Sequence, residues 1–173
     1  DEVRFALPMF IGHFAVGFAL KKAEPKVPLG TWFASALFLD ILWPIFLLLG
    51  IEKASVVPGI TRVTPLNLEI VYWSHSLVMA VVWAVLFGAA VWAKVRTRNA
   101  FVFSAVGVFS HWILDYITHR PDMPLAPHAQ AVGLGLWNSL AGTLIVELSL
   151  FAVGVVIYVK LFHKVAQKIW IHF

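Results

Sequence analysis

The chain has 173 residues, 61% of them hydrophobic and only 13% charged, with a mean hydropathy of +0.86. Globular domains carry about 25% charged residues, so this apolar surface exceeds what a water-soluble body of this size can hide and must face lipid. Disorder, collagen-like structure and nucleic-acid binding are excluded by the same figures. A formal charge of +4, with pI near 9.6, reads as membrane orientation. The absence of cysteine excludes a disulfide framework, a thiolate metal site and a cysteine nucleophile.

A transmembrane helix needs about 20 mostly apolar residues. Five stretches qualify, at 5–20, 31–50, 73–93, 100–119 and 139–162. The expected fold is therefore an all-α polytopic helix bundle, a single integral membrane domain over 1–173. The first run has no basic segment before it and is expected to be a retained span rather than a cleaved signal. Loops at 21–30, 51–72, 94–99 and 120–138 are marked by Pro, Gly or charge.

Lys21, Lys22, Lys26, Lys94, Arg96, Arg98, Lys160, Lys164 and Lys168 fall on one side of this arrangement, against Arg4, Lys53, Arg62 and Arg120 on the other. The positive-inside rule then places the N-terminus outside, the C-terminus in the cytoplasm and the two long loops on the outer face. Lys160, Lys164 and Lys168, with Trp170 and Phe173 close by, suit the headgroup region or a solvated end of the last helix. Trp32, Trp43, Trp73, Trp112 and Trp137 are expected near the interfaces. Gly12, Gly17, Gly88, Gly107, Gly142 and Gly154 are expected to let helices approach.

Ionisable residues inside a span are costly and are functional candidates by default. Here they are Asp40, Asp115 and Glu147, with His13, His75, His111 and His119. No Lys or Arg lies well inside a span to neutralise these acids, which leaves protonation, hydrogen bonding, a wet cavity or a metal cation. At about 1.5 Å per residue, His13, His111 and Glu147 lie roughly 12 Å from the outer end of their spans and Asp40 about 15 Å. Asp115 lies about 6 Å in, and His75 and His119 lie near the outer boundary. All seven share the outer half although they come from five helices.

His111, Asp115 and His119 recur at i, i+4 and i+8 and so line one helix face. Imidazole and carboxylate are ligand types for Zn²⁺ and similar ions. His111 and Asp115 are expected to bind, while His119 caps the site, binds a second ion or supports a ligand. A lone histidine such as His13 has an alternative reading as a hydrogen-bonded packing residue or cavity liner. Ser74-His75 and Ser110-His111 are not read as nucleophile pairs, because helix neighbours at i and i+1 point apart.

In order, the motifs are Gly12-His13-Phe14, Leu39-Asp40-Ile41-Leu42-Trp43-Pro44, Trp73-Ser74-His75-Ser76-Leu77, Ser110-His111-Trp112-Ile113-Leu114-Asp115-Tyr116 and Thr118-His119-Arg120-Pro121-Asp122. This series resembles the bacterial membrane-bound metal-dependent hydrolases, including the SOS-regulated inner-membrane proteins, over about residues 12–122. The resemblance implies metal ligands at His13, Asp40, His75, His111 and Asp115. Leu42 and Trp43 stand where that family often has Asp and His, and Tyr72-Trp73 replace an Arg-Gly pair.

The function expected is a metal-dependent hydrolase of the bacterial inner (cytoplasmic) membrane, acting on a lipid or other amphiphile. It holds one divalent ion, Zn²⁺ by first choice, on His13, Asp40, His111 and Asp115, with His75 as ligand or base and His75 and His119 in catalysis. Two rival expectations are a structural or accessory subunit of a larger membrane complex, and a proton or metal-ion transporter.

Overall fold

The computed structural model describes residues 11–170, with side chains described over 11–161. The first six residues of the expected 5–20 span, and the tail side chains beyond Leu161, lie outside the described residues. The chain is mostly helical, as the composition requires. Its helices are α1 (Ile11–Ala23), α2 (Leu29–Ala36), α3 (Phe38–Leu48), the single turn α4 (Tyr72–His75), α5 (Leu77–Val95), α6 (Arg98–Thr118) and α7 (Leu140–Trp170).

Among the described residues three helices are long and apolar enough to cross a membrane: α5, α6 and the Leu140–Leu161 part of α7. α2 and α3 make a fourth such path only as a pair bent by 58°. Among the described residues there are thus three helices able to span a membrane, or four with the bent pair, where the sequence reading expects five. The described part of the first span, α1, has 13 residues, about 20 Å of helix.

Local chemistry sets the boundaries. Ser76 Oγ caps α5 by accepting from Met79 N, and Thr97 Oγ1 caps α6 by accepting from Ala100 N. Ser76 is itself extended, so Tyr72–His75 forms a separate turn and α5 starts four residues later than the expected 73–93 span. α6 ends at His119, whose extended backbone leads into Arg120-Pro121. In α3, Pro44 has no N–H to donate to the carbonyl four residues before it.

The two long loops are not plain coil. β1 (Lys53–Val56) pairs antiparallel with β2 (Leu66–Ile70), Lys53 opposite Ile70, and a short β3 (Met123–Pro124) pairs with β4 (Ala131–Val132). These hairpins leave the helical class intact and lie in the connections that follow α3 and α6.

The core runs in two clusters. Leu39, Ala80, Ala84, Val108, Trp112 and Met123 form one, and Leu20, Val27, Trp32, Val91 and Ala100 the other. Trp32, Trp112 and Trp137 are buried, so their rings pack inside the protein, while Trp73 is exposed. Glycines permit the closest approaches. A Cβ on Gly107 would overlap Ser35 Oγ of α2, and one on Gly154 would meet the Ala15 backbone of α1 at 2.6 Å. Gly142 differs, because its near neighbours Ser139 and Leu136 are local.

Candidate metal centre

Four imidazoles and two carboxylates meet at one point between α1, α3, α4 and α6. Asp115 on α6 is the hub. Its Oδ2 lies 3.1 Å from His111 Nε2 and 3.6 Å from His75 Nε2; its Oδ1 lies 3.4 Å from His13 Nε2 and 4.0 Å from His119 Nε2. Asp40 Oδ1 completes one side, 3.4 Å from His75 Nε2 and 3.5 Å from His111 Nε2. The ring centroids of His13 and His111 stand 4.2 Å apart. His13, His75, His111, Asp115 and His119 are buried, and Asp40 is half-buried.

Each side chain arrives by a different structural device. His111 and Asp115 share a face of α6 by their i, i+4 spacing. Asp40 enters on the first turn of α3, just past the bend at Leu37. His13 sits in the first turn and a half of α1, where Gly12 N–H donates to Glu147 Oε2 of α7 at 2.6 Å. His75 ends the single turn α4, which hangs from β2. His119 closes α6 with its ring 4.0 Å from that of Trp137.

All four histidines present Nε2 to the carboxylates, and for three of them the other nitrogen is engaged elsewhere. His111 Nδ1 lies 2.8 Å from the carbonyl of Ala36. A carbonyl only accepts, so the neutral ring carries its proton on Nδ1 and keeps an unprotonated Nε2. His119 Nδ1 meets Asp122 Oδ1 at 3.2 Å, and Asp122 Oδ2 accepts from Arg120 Nε at 3.0 Å. Arg120 also donates to Asn67 on β2. His75 Nδ1 lies 2.7 Å from Ser74 Oγ.

His111 Nε2 and both ring nitrogens of His13 are buried with no hydrogen-bond partner. Unsatisfied buried polar atoms are costly, and two of these, His13 Nε2 and His111 Nε2, face Asp115 in the centre without an aligned hydrogen bond, which leaves room for a further group. Two sets of three donors lie with their ligand atoms within 4.8 Å of one another: His13, His111 and Asp115, and Asp40, His75 and His111. A buried group of imidazoles and carboxylates of this kind can hold a metal ion. Bonds of 2.0–2.2 Å to a tetrahedral ion require donor atoms about 3.3–3.6 Å apart. Four of the six edges among Asp40, His75, His111 and Asp115 Oδ2 measure 3.1–3.6 Å. Each set of three donors, rather than the four residues together, fits such an ion.

The structure brings together every residue that the sequence singles out for this centre: His13, Asp40, His75, His111, Asp115 and His119. Glu147 is buried as well, but its hydrogen bond goes to the backbone of α1. Ser74 and Glu52 are the additions. Ser74 does reach its neighbour His75, because a single turn followed by an extended Ser76 does not impose the side-chain divergence of a regular helix. Glu52 lies in what the sequence marks only as loop, and no spacing signal pointed to it.

An apolar groove of about 570 Å³ lies between α1, α5 and α6, lined by residues that include Val16, Ala84, Phe109, Ile113 and Leu114. None of the six donors lines it. Compared with known proteins, the chain matches no family model, no curated protein and no solved structure.

Proposed function

We propose that this protein is an integral membrane protein that holds one divalent cation, Zn²⁺ by first choice, and works as a metal-dependent hydrolase on a lipid-like substrate. The observation that carries the reading is the convergence of Nε2 atoms and carboxylate oxygens at 3.1–3.6 Å, with His111 Nε2 left unpartnered. In this proposal Asp40, His75 and His111 hold the ion with Asp115 against the two imidazoles, so His75 stands where the sequence reading puts His13 first. A cation so held supplies Lewis acidity and makes water ionise near neutral pH.

The remaining groups are suited to moving protons. His119 is oriented by Asp122 through Nδ1 and keeps Nε2 on the side of Asp115, the arrangement of a general base with its orienting carboxylate. His13 Nε2 lies against the same Asp115 oxygen. The apolar groove between α1, α5 and α6 offers room for a hydrocarbon chain, and Ser110 on its wall precedes His111 on α6. A bacterial cytoplasmic membrane is the setting that the resemblance of the motif series implies, and the basic loops give the chain an orientation in a membrane.

The test is turnover in reconstituted vesicles carrying ester- and phosphodiester-linked lipids. Product release that stops on chelation, returns with added Zn²⁺ and is lost in Asp40→Asn supports the proposal. Release indifferent to chelator, or none from any lipid by metal-loaded protein, contradicts it.

A further inference from the structure

Glu52 is a buried acid just before the β1–β2 hairpin, 2% exposed, and its surroundings assign it a task. The β1–β2 register sets Lys53 opposite Ile70, which brings the preceding Glu52 against the start of α4. Its Oε1 accepts from Trp73 N and Ser74 N, both at 2.8 Å, and its Oε2 lies 2.6 Å from Ser74 Oγ. Ser74 Oγ in turn lies 2.7 Å from His75 Nδ1, and Ser74 is fully buried.

We propose that Glu52 and Ser74 form a positioning relay that fixes the proton of His75 on Nδ1 and frees Nε2 for the cation. The inference rests on the metal reading given above. The direction of each hydrogen bond follows from the groups themselves. An ionised carboxylate only accepts, so the Ser74 hydroxyl donates to Glu52. The oxygen of Ser74 then accepts from His75 Nδ1–H, and the neutral ring carries no proton on Nε2. That polarity is opposite to a serine nucleophile, whose hydroxyl donates to the imidazole. Ser74 and Glu52 thus act through His75, as carboxylates behind metal-bound histidines do with no hydroxyl between. His111 and His119 have their own supports in Ala36 and Asp122, and the relay gives His75 the corresponding one.

Glu52→Gln separates this role from a structural one. The amide keeps the shape, offers its oxygen to the two backbone N–H groups and turns its NH₂ towards Ser74 Oγ. The hydroxyl, having lost its acceptor on residue 52, then has His75 Nδ1 as its nearest acceptor, and donating there moves the ring proton to Nε2 and blocks coordination. Two readouts on the full chain in detergent decide the matter. The tautomer of His75 is read by ¹⁵N ring correlation spectra of the metal-free protein, with His75 assigned from its absence in His75→Asn. Zn²⁺ affinity is read by direct titration.

At a pH where the ring is neutral, the wild-type spectra show the Nδ1–H form although Asp40 and Asp115 face Nε2 at 3.4 and 3.6 Å, and Glu52→Gln shifts it to Nε2–H and weakens Zn²⁺ by roughly 10–100-fold. Ser74→Ala, which removes the middle of the relay, weakens Zn²⁺ in the same range and leaves His75 a mixture of tautomers. An unchanged tautomer in Glu52→Gln overturns the relay, whether or not affinity or thermal stability falls with it. A shifted tautomer in a protein whose wild type binds no Zn²⁺ leaves the relay standing and removes the metal reading.

Discussion

His111 has one ring nitrogen on the carbonyl of Ala36 and the other facing Asp40 and Asp115, in a fully buried position. A side chain so placed has no water to fall back on. Asp115→Asn keeps the size but removes the charge that faces four imidazoles. Equilibrium titration should then show Zn²⁺ affinity reduced by more than the 10–100-fold typical of losing an outer partner. Imidazoles and carboxylates coordinate only when deprotonated, and binding releases protons. The sign follows: affinity falls as pH is lowered and recovers as pH is raised, which titrations at several pH values check.

At this scale much of the centre was legible. Acids and histidines stand out in apolar spans, and the four-residue spacing of His111, Asp115 and His119 lies on one helix face. Glu52 was not legible, because an acid in a loop resembles any solvated loop residue until the hairpin folds it inward. Ser74 is not legible because the expected 73–93 span makes Trp73–His75 part of a regular helix, whereas the chain forms a separate turn there.

The elements position these residues through two features, a bend and a close contact. The bend at Leu37 separates α2 from α3 by 58° and leaves Ala36 O to His111. The run 31–49 has no Gly or Pro before Pro44, so nothing in it marks a break, which is held by a tertiary hydrogen bond from another helix. The β1–β2 hairpin reads as loop for another reason, because its strands have only four and five residues. The contact is at Gly107, where α6 meets Ser35 of α2 one turn before His111. Gly107→Ala drives a methyl into Ser35 and should cost about 1–3 kcal/mol, read as a lower thermal midpoint in detergent. It should also weaken Zn²⁺ by displacing His111 from Ala36. The glycine itself was legible as a close-approach position; its partner was not.

For the whole molecule, the faces of α5, α6 and α7 carry exposed residues such as Val82, Val85, Leu86, Val106, Ile145 and Val156, as a lipid-facing exterior requires. The basic loops predict which side each end occupies. The chain lacks cysteine, so single-cysteine variants report cleanly. In sealed cells an impermeant thiol reagent should label Arg62→Cys on the β1–β2 hairpin, and Lys26→Cys and Arg98→Cys only after permeabilisation. Composition made the membrane class legible because it needs no geometry. The span count was less so, since hydropathy cannot distinguish a straight helix from a bent pair.

The central claim is that residues distant in sequence close around one cation, and metal content per chain tests it most directly. Protein purified without chelator, then given Zn²⁺ and desalted, should carry one ion per chain by elemental mass spectrometry. Folded His111→Ala and Asp115→Asn should carry essentially none. Equal content in all three, or no bound metal in the wild type, would contradict the account.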